Sequence, residues 1–447
     1  MDMRDLTKSV LGLPWAISMF SVQQVANIVS PPPSDEGHPS ATSIEPQLDG
    51  WVKQTYKVGA QVQNAMLDML MLRAPDMDSS SLMRMAADMQ SAPLFQAVMK
   101  YGMPPVAWLD SFLVTPRDSP AALQEFANKL YIIQLVTAVH GDLHLDDATT
   151  EPLPTLVERA ANLETFPRLW AVEGLGNWYG DRAWDRTAGE DPSSLLTDAR
   201  AASLPPWSLT MLHAGIGMSF AKKVLAGLTP TSESAVVHSA IARFATLCRN
   251  SSRVGYTGAA LESLGLATRT LYPNLVSVMD REIPNVDRGL LGYFWHGVGR
   301  AIYFDPMNML PSVNAPWRAV KRLDQEAPNA AARRDVLSGL AWAITLVNMR
   351  HPIVMETFLR HHADLAWSDD AFTNGVTSSM MMRYDTTRDD TRLSSFLEHQ
   401  PTDSAVAAAW KSLITTPGEH ALRVTYGELA EVPSLEDLFH YRPPAGR

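Results

Sequence analysis

Apolar residues recur along this chain at the three-to-four-residue spacing of a helix, and no segment alternates with the period of two that marks a strand. The pattern predicts an all-α protein. Trp15, Met19, Val22, Val25 and Val29 mark an amphipathic N-terminal helix within residues 1–29, with Gln23, Gln24 and Asn27 on its polar side. Residues 30–50 form a Pro- and Ser-rich linker with Pro31-Pro32-Pro33 at its start, a composition that builds no core and is expected to be poorly ordered. Helical spacing resumes at Val58, Val62, Met66, Met69 and Leu70, and residues 51–154 read as an N-terminal helical region ending in a helix from Ala121 to Val139. The stretch 411–447 is rich in Pro and acidic residues and is expected to be an irregular cap.

Between residues 155 and 410 a glycine signature returns about every forty residues. It is clearest at Glu173-Gly174-Leu175-Gly176, His213-Ala214-Gly215-Ile216-Gly217 and His296-Gly297-Val298-Gly299. Weaker copies lead with Gly258, Gly339 and Gly375. A glycine inside a helix costs roughly 1 kcal/mol relative to alanine, so its recurrence requires a return elsewhere. The two glycines of G-x-G lie about 200° apart around a helix, which bares both flanks to neighbouring backbones. The prediction is an array of helical hairpins, an α-solenoid or an α/α toroid, with each glycine helix inside and a more polar helix outside. Gly174, Gly176 and Gly180 imitate a dinucleotide fingerprint, but no strand precedes them, and no nucleotide is expected.

Net charge is −11 with no basic block, which argues against a nucleic-acid partner. The single cysteine, Cys248, excludes an internal disulfide and any Cys-built metal centre, so cytoplasm is the expected compartment. The apolar run at residues 10–22 is too short to span a bilayer of about 20 helical residues. Residues 10–29 could contact a membrane surface, and docking on the protein body is the favoured alternative. The 22 methionines suit core filling or an adaptable apolar pocket.

Glu173, His213 and His296 each stand one or two residues before a leading glycine, and Arg300 falls one turn after His296. In a closed array these side chains would converge on the axis. Glu173, His213 and His296 then make a ligand set for zinc or iron, or with Arg300 an acid–base centre. Equally, each could satisfy a neighbouring helix's backbone. Glu262 and Asn374 are secondary candidates in copies of less certain register. Two other stretches resemble ligand clusters and read more simply as solvated segments. One is His140, Asp142, His144 and Asp146; the other is His361, His362 and Asp364.

The order of these signatures resembles an uncharacterised family of enediyne-gene-cluster proteins, the UnbL-like biosynthesis proteins. The resemblance spans roughly residues 165–410 and rests on six short elements. These are Glu173-Gly174, His213 with Gly215 and Gly217, Gly255-Tyr256, His296 to Arg300 with Phe304, Ser338-Gly339, and Asn374-Gly375. It implies a role in secondary or lipid-like metabolism, handling a hydrophobic polyketide or acyl-type molecule. The alternative is a non-catalytic scaffold or carrier that binds a partner protein or a hydrophobic ligand.

Overall fold

The computed structural model describes residues 118–137, 143, 145, 149–187, 190–304, 317, 319–368, 370–388 and 390–443. The expected N-terminal helix, the linker, most of region 51–154 and the His140–Asp146 stretch apart from Leu143 and Leu145 lie outside these residues. Among the described residues every regular element is helical. None of their helices is long and apolar enough to cross a membrane.

In chain order the helices are α1 (Ser119–Thr137), α2 (Leu153–Ala160), α3 (Thr165–Arg186), α4 (Pro206–Leu225), α5 (Ser234–Ser251), α6 (Thr257–Leu261), α7 (Ser263–Leu271), α8 (Val276–Val286) and α9 (Leu290–Tyr303). They continue with α10 (Ala319–Glu326), α11 (Ala330–Asn348), α12 (Ile353–Ser368), α13 (Asp370–Thr386), α14 (Arg392–Leu397), α15 (Ser404–Trp410), α16 (Thr416–His420) and α17 (Tyr426–Glu431). The starts follow local chemistry. Pro206 opens α4, where a missing N–H costs nothing. The Asn329 side chain accepts from the N–H groups of Ala331 and Ala332 at the start of α11.

The glycine helices α3, α4, α6–α7, α9, α11 and α13 pack in succession as an inner layer. Their glycines fix the register. A Cβ on Gly215 would strike the carbonyl of Glu173 in α3, and one on Gly217 would strike Ala260 in α6. Likewise Gly297 faces the carbonyl of Glu262 while Gly299 faces that of Val336 in α11. Gly339 meets the carbonyl of His296, and Gly375 that of Ser338. Each hypothetical Cβ would come closer than 3.0 Å to backbone, so these helices could not approach as they do with any larger residue. The succession also returns on itself, because α13 packs on α4 and α1 bridges α3 to α11 and α12. Buried aliphatic and aromatic residues fill the layer, including Phe220, Phe294, Trp295, Trp342 and the trio Met380, Met381 and Met382.

Two sequence expectations change. Gly258 does not make the inner-layer contact of the other leading glycines; it faces the carbonyl of Glu436 in the C-terminal segment. The inner-layer position belongs to Ser263, whose hydroxyl donates to the carbonyl of Ala214 at 3.0 Å, followed two residues later by Gly265 against Phe294. The C-terminal stretch is also helical rather than irregular as far as Glu431. Two π turns, Lys411–Thr415 and Ala421–Thr425, join α15, α16 and α17 into one rod. The wider π turn makes room ahead of Pro417, whose ring would crowd the preceding turn of an α-helix.

Candidate functional site

The packing register assigns one equivalent position to Glu173, Ala214, Glu262, His296, Ser338 and Asn374, directly before the leading glycine or, after Glu262, before Ser263. Two neighbouring pairs touch through their side chains. His296 Nδ1 lies 2.5 Å from Glu262 Oε1, and Ser338 Oγ donates to Asn374 Oδ1 at 2.9 Å. Arg300, one turn along α9 from His296, ties the centre together. Its guanidinium pairs with Glu262 through Nη1 and reaches Glu173 Oε1 at 3.6 Å through Nη2. The last contact joins α9 to α3, which are not neighbours in the succession.

The centre is dry. Glu262 and His296 are fully buried, and the Glu173 side chain keeps only 13% of its exposure. Burial pushes the Glu262 carboxyl up, but Arg300 and His296 together outweigh it and hold the group below its ordinary value. Burial dominates at His296, whose pKa falls despite the Glu262 carboxylate. It also dominates at Glu173, which is raised despite Arg300. The pattern at neutral pH is therefore an ionised Glu262 between cationic Arg300 and a neutral imidazole. Since a carboxylate only accepts, Nδ1 of His296 carries the proton and Nε2 is bare.

The predicted set is thus assembled in part. Glu173, His296 and Arg300 converge, joined by Glu262, but His213 does not join them. It stands two residues before its glycine rather than one, and one residue turns a side chain by 100° around a helix. His213 instead donates from Nδ1 to the carbonyl of Leu209 at 2.6 Å and accepts the Arg253 N–H on Nε2 at 3.0 Å. Its ring stacks on Tyr256, and burial pulls its pKa down to about 4. With both nitrogens committed to backbone it cannot complete a metal site with Glu173 and His296. Among the described residues no group of three or more His, Cys, Asp or Glu side chains is arranged to hold a metal. The His361 and His362 pair is divided as well: His361 bonds Asp118 at 2.9 Å, and His362 turns to the carbonyl of Trp317. The glycines Gly176 and Gly180 lie inside α3 against Leu212 and Ser219 of α4, so they serve packing.

Two further buried polar clusters join side chains from distant parts of the chain. Lys129 and Glu125 of α1 form a fully buried ion pair, with the Lys129 ammonium 4.0 Å from the Tyr303 ring centre. Asn348 Nδ2 donates to the Tyr303 hydroxyl at 2.8 Å, and Asn128 donates to Asn348 at 2.9 Å. Across the layer, Thr210 of α4 and Tyr426 of α17 both donate to Asp385 of α13, at 3.2 and 2.8 Å. A surface cleft of about 500 Å³ lies elsewhere, beside α2, between Glu151, Tyr179 and Arg200; Glu151 is paired with Arg159, and Arg200 with Asp198.

No family model, curated protein or solved structure matches this chain.

Proposed function

We propose that the chain is a closed array of helical hairpins of about forty residues acting as a scaffold or carrier, with its polar centre serving as a structural lock. The matched glycine contacts and the return of α13 onto α4 support the repeat. One observation carries the lock. Glu262, buried completely, spends its two oxygens on His296 and Arg300, and Arg300 extends to Glu173 on α3, which is not adjacent to α9 in the succession. These groups pair with one another between elements that the chain connects only distantly. The scaffold would present its outer helices to a partner protein or hold a hydrophobic ligand. The cytoplasm suits a chain whose one cysteine, Cys248, is buried and free.

Replacement of Glu262 by Gln tests the lock by equilibrium unfolding. Removal of one partner from a buried ion pair costs about 3–5 kcal/mol. A lock predicts that loss. Unchanged or increased stability contradicts it, because strained catalytic groups are the ones whose removal stabilises a fold.

A second reading, acid–base chemistry on an apolar polyketide or acyl substrate, has its own observation. His296 is oriented through Nδ1 by Glu262 while its Nε2 has no hydrogen-bond partner, the arrangement of an imidazole poised as a base. The resemblance to the enediyne-associated family supports a place in secondary metabolism for either reading.

A further inference from the structure

The C-terminal segment 433–442 crosses the inner helices one after another. Pro433 sits against Gly255, whose φ of +86° admits little but glycine, and the Glu436 carbonyl lies on Gly258. The His440 ring meets Tyr293 at 4.7 Å, and the Tyr441 N–H donates to Asp335 at 3.1 Å. The Tyr441 hydroxyl donates to Asp370 at 2.7 Å, and Asn374 donates to the Arg442 carbonyl at 3.2 Å. In the middle of this strap Phe439 packs against Trp342, ring centres 6.0 Å apart.

Trp342 is also a wall of the polar centre. The Arg300 guanidinium lies 4.4 Å from its ring centre, and the His296 ring 6.3 Å away. Each of these three residues has a buried polar atom without a hydrogen-bond partner: His296 Nε2, Arg300 Nε and Trp342 Nε1. Buried polar atoms are paired in the great majority of cases, so three around one aromatic ring call for a common explanation. Their chemistry is complementary to a hydroxyl. The Nε2 lone pair takes an O–H, while either N–H group gives to the oxygen. An anion would meet the carboxylates of Glu262 and Glu173, a cation would meet Arg300, and a hydrocarbon would leave all three atoms unpaired.

We propose that His296, Arg300 and Trp342 bind the hydroxyl group of a small neutral molecule, admitted when the strap 433–442 lifts Phe439 from Trp342. The site goes beyond the lock, whose stability does not depend on a ligand. The test uses full-length protein with ¹⁵N-labelled histidine and isopropanol as the probe, with cyclopentane as the apolar control. His296 is identified by the slowly exchanging Nδ1 proton that Glu262 holds. Isopropanol is expected to shift the Nε2 resonance saturably and cyclopentane to leave it in place. Tyr441→Phe, which removes the bond to Asp370, is expected to speed the approach to saturation at least tenfold; Asp370→Ala removes the same bond from the other side. A proton resident on Nε2 at neutral pH overturns the proposal, as does a response to water alone. Equal entry rates in wild type and both strap variants overturn the route. The lock fails on a different reading, the unfolding free energy of the Glu262→Gln variant.

Discussion

Glu262 and His296 occupy the same position on adjacent inner helices, and the carboxylate of one accepts the ring N–H of the other at 2.5 Å. That equivalence comes from glycine. Gly297 rests on the Glu262 carbonyl, and Gly339 rests on the His296 carbonyl, so the residue before each glycine is carried to the same height. The packing device and the polar centre are one construction.

Gly339→Ala is expected to destabilise the protein severely, by several kcal/mol, because its Cβ would enter the His296 carbonyl and both helices are buried. Gly227→Ala is the matched control. Nothing lies within 4 Å of its added methyl, and a stabilisation of about 0.4–1 kcal/mol is expected from the stiffer unfolded chain. Chemical denaturation of the two variants measures the contrast.

The buried pair on α1 should behave as a unit. Lys129→Met removes the cation from Glu125, already raised by burial and left with the Tyr303 hydroxyl, and is expected to destabilise the fold by up to about 3–5 kcal/mol. Adding Glu125→Leu should restore most of that loss, since an apolar pair of similar volume is often as stable. Recovery is read from denaturant midpoints at a fixed pH. A double variant no better than the single one would show that α1 docks by other contacts.

Two groups give the stability curve opposite slopes below neutrality. His213 faces the Leu209 carbonyl, the Arg253 N–H and the Tyr256 ring, with the Arg253 charge nearby. Its pKa, lowered by burial to about 4, means that the unfolded chain binds more protons, so stability rises with pH between about 4 and 6.5. Asp335, facing the Tyr441 N–H, His440 and Arg334, is raised by burial to about 7. There the folded chain binds the extra proton, and stability falls as pH rises from about 4 to 7. Asp335→Asn should therefore steepen the rise of stability with pH, and His213→Phe, which keeps an aromatic ring on Tyr256, should flatten it. Unfolding midpoints taken across this window decide both signs.

The helical class and the sandwiching of G-x-G helices were legible because a bare flank has few uses inside an apolar helix. Glu173, His296 and Arg300 were legible from their offset to the glycines. His213 stands one residue off that position, a difference of 100° around the helix that the glycine spacing does not resolve. Ser263 is hard to read from spacing, since a serine whose hydroxyl reaches the Ala214 carbonyl can stand where the other inner helices carry glycine. Gly258 imitates that position because the C-terminal segment demands the same close approach. Pairings such as Asn128 with Asn348 leave no mark on sequence spacing.

The charge tie between Glu262, at the junction of α6 and α7, and Arg300 of α9 is central to the lock, and a double-mutant cycle on the two residues measures it directly. Unfolding free energies are compared for wild type, Glu262→Gln, Arg300→Met and the double variant, all at pH 7. The lock predicts that both single variants lose stability and that their losses couple by about 1.5 kcal/mol or more. Additive losses, or a single variant more stable than wild type, would contradict it.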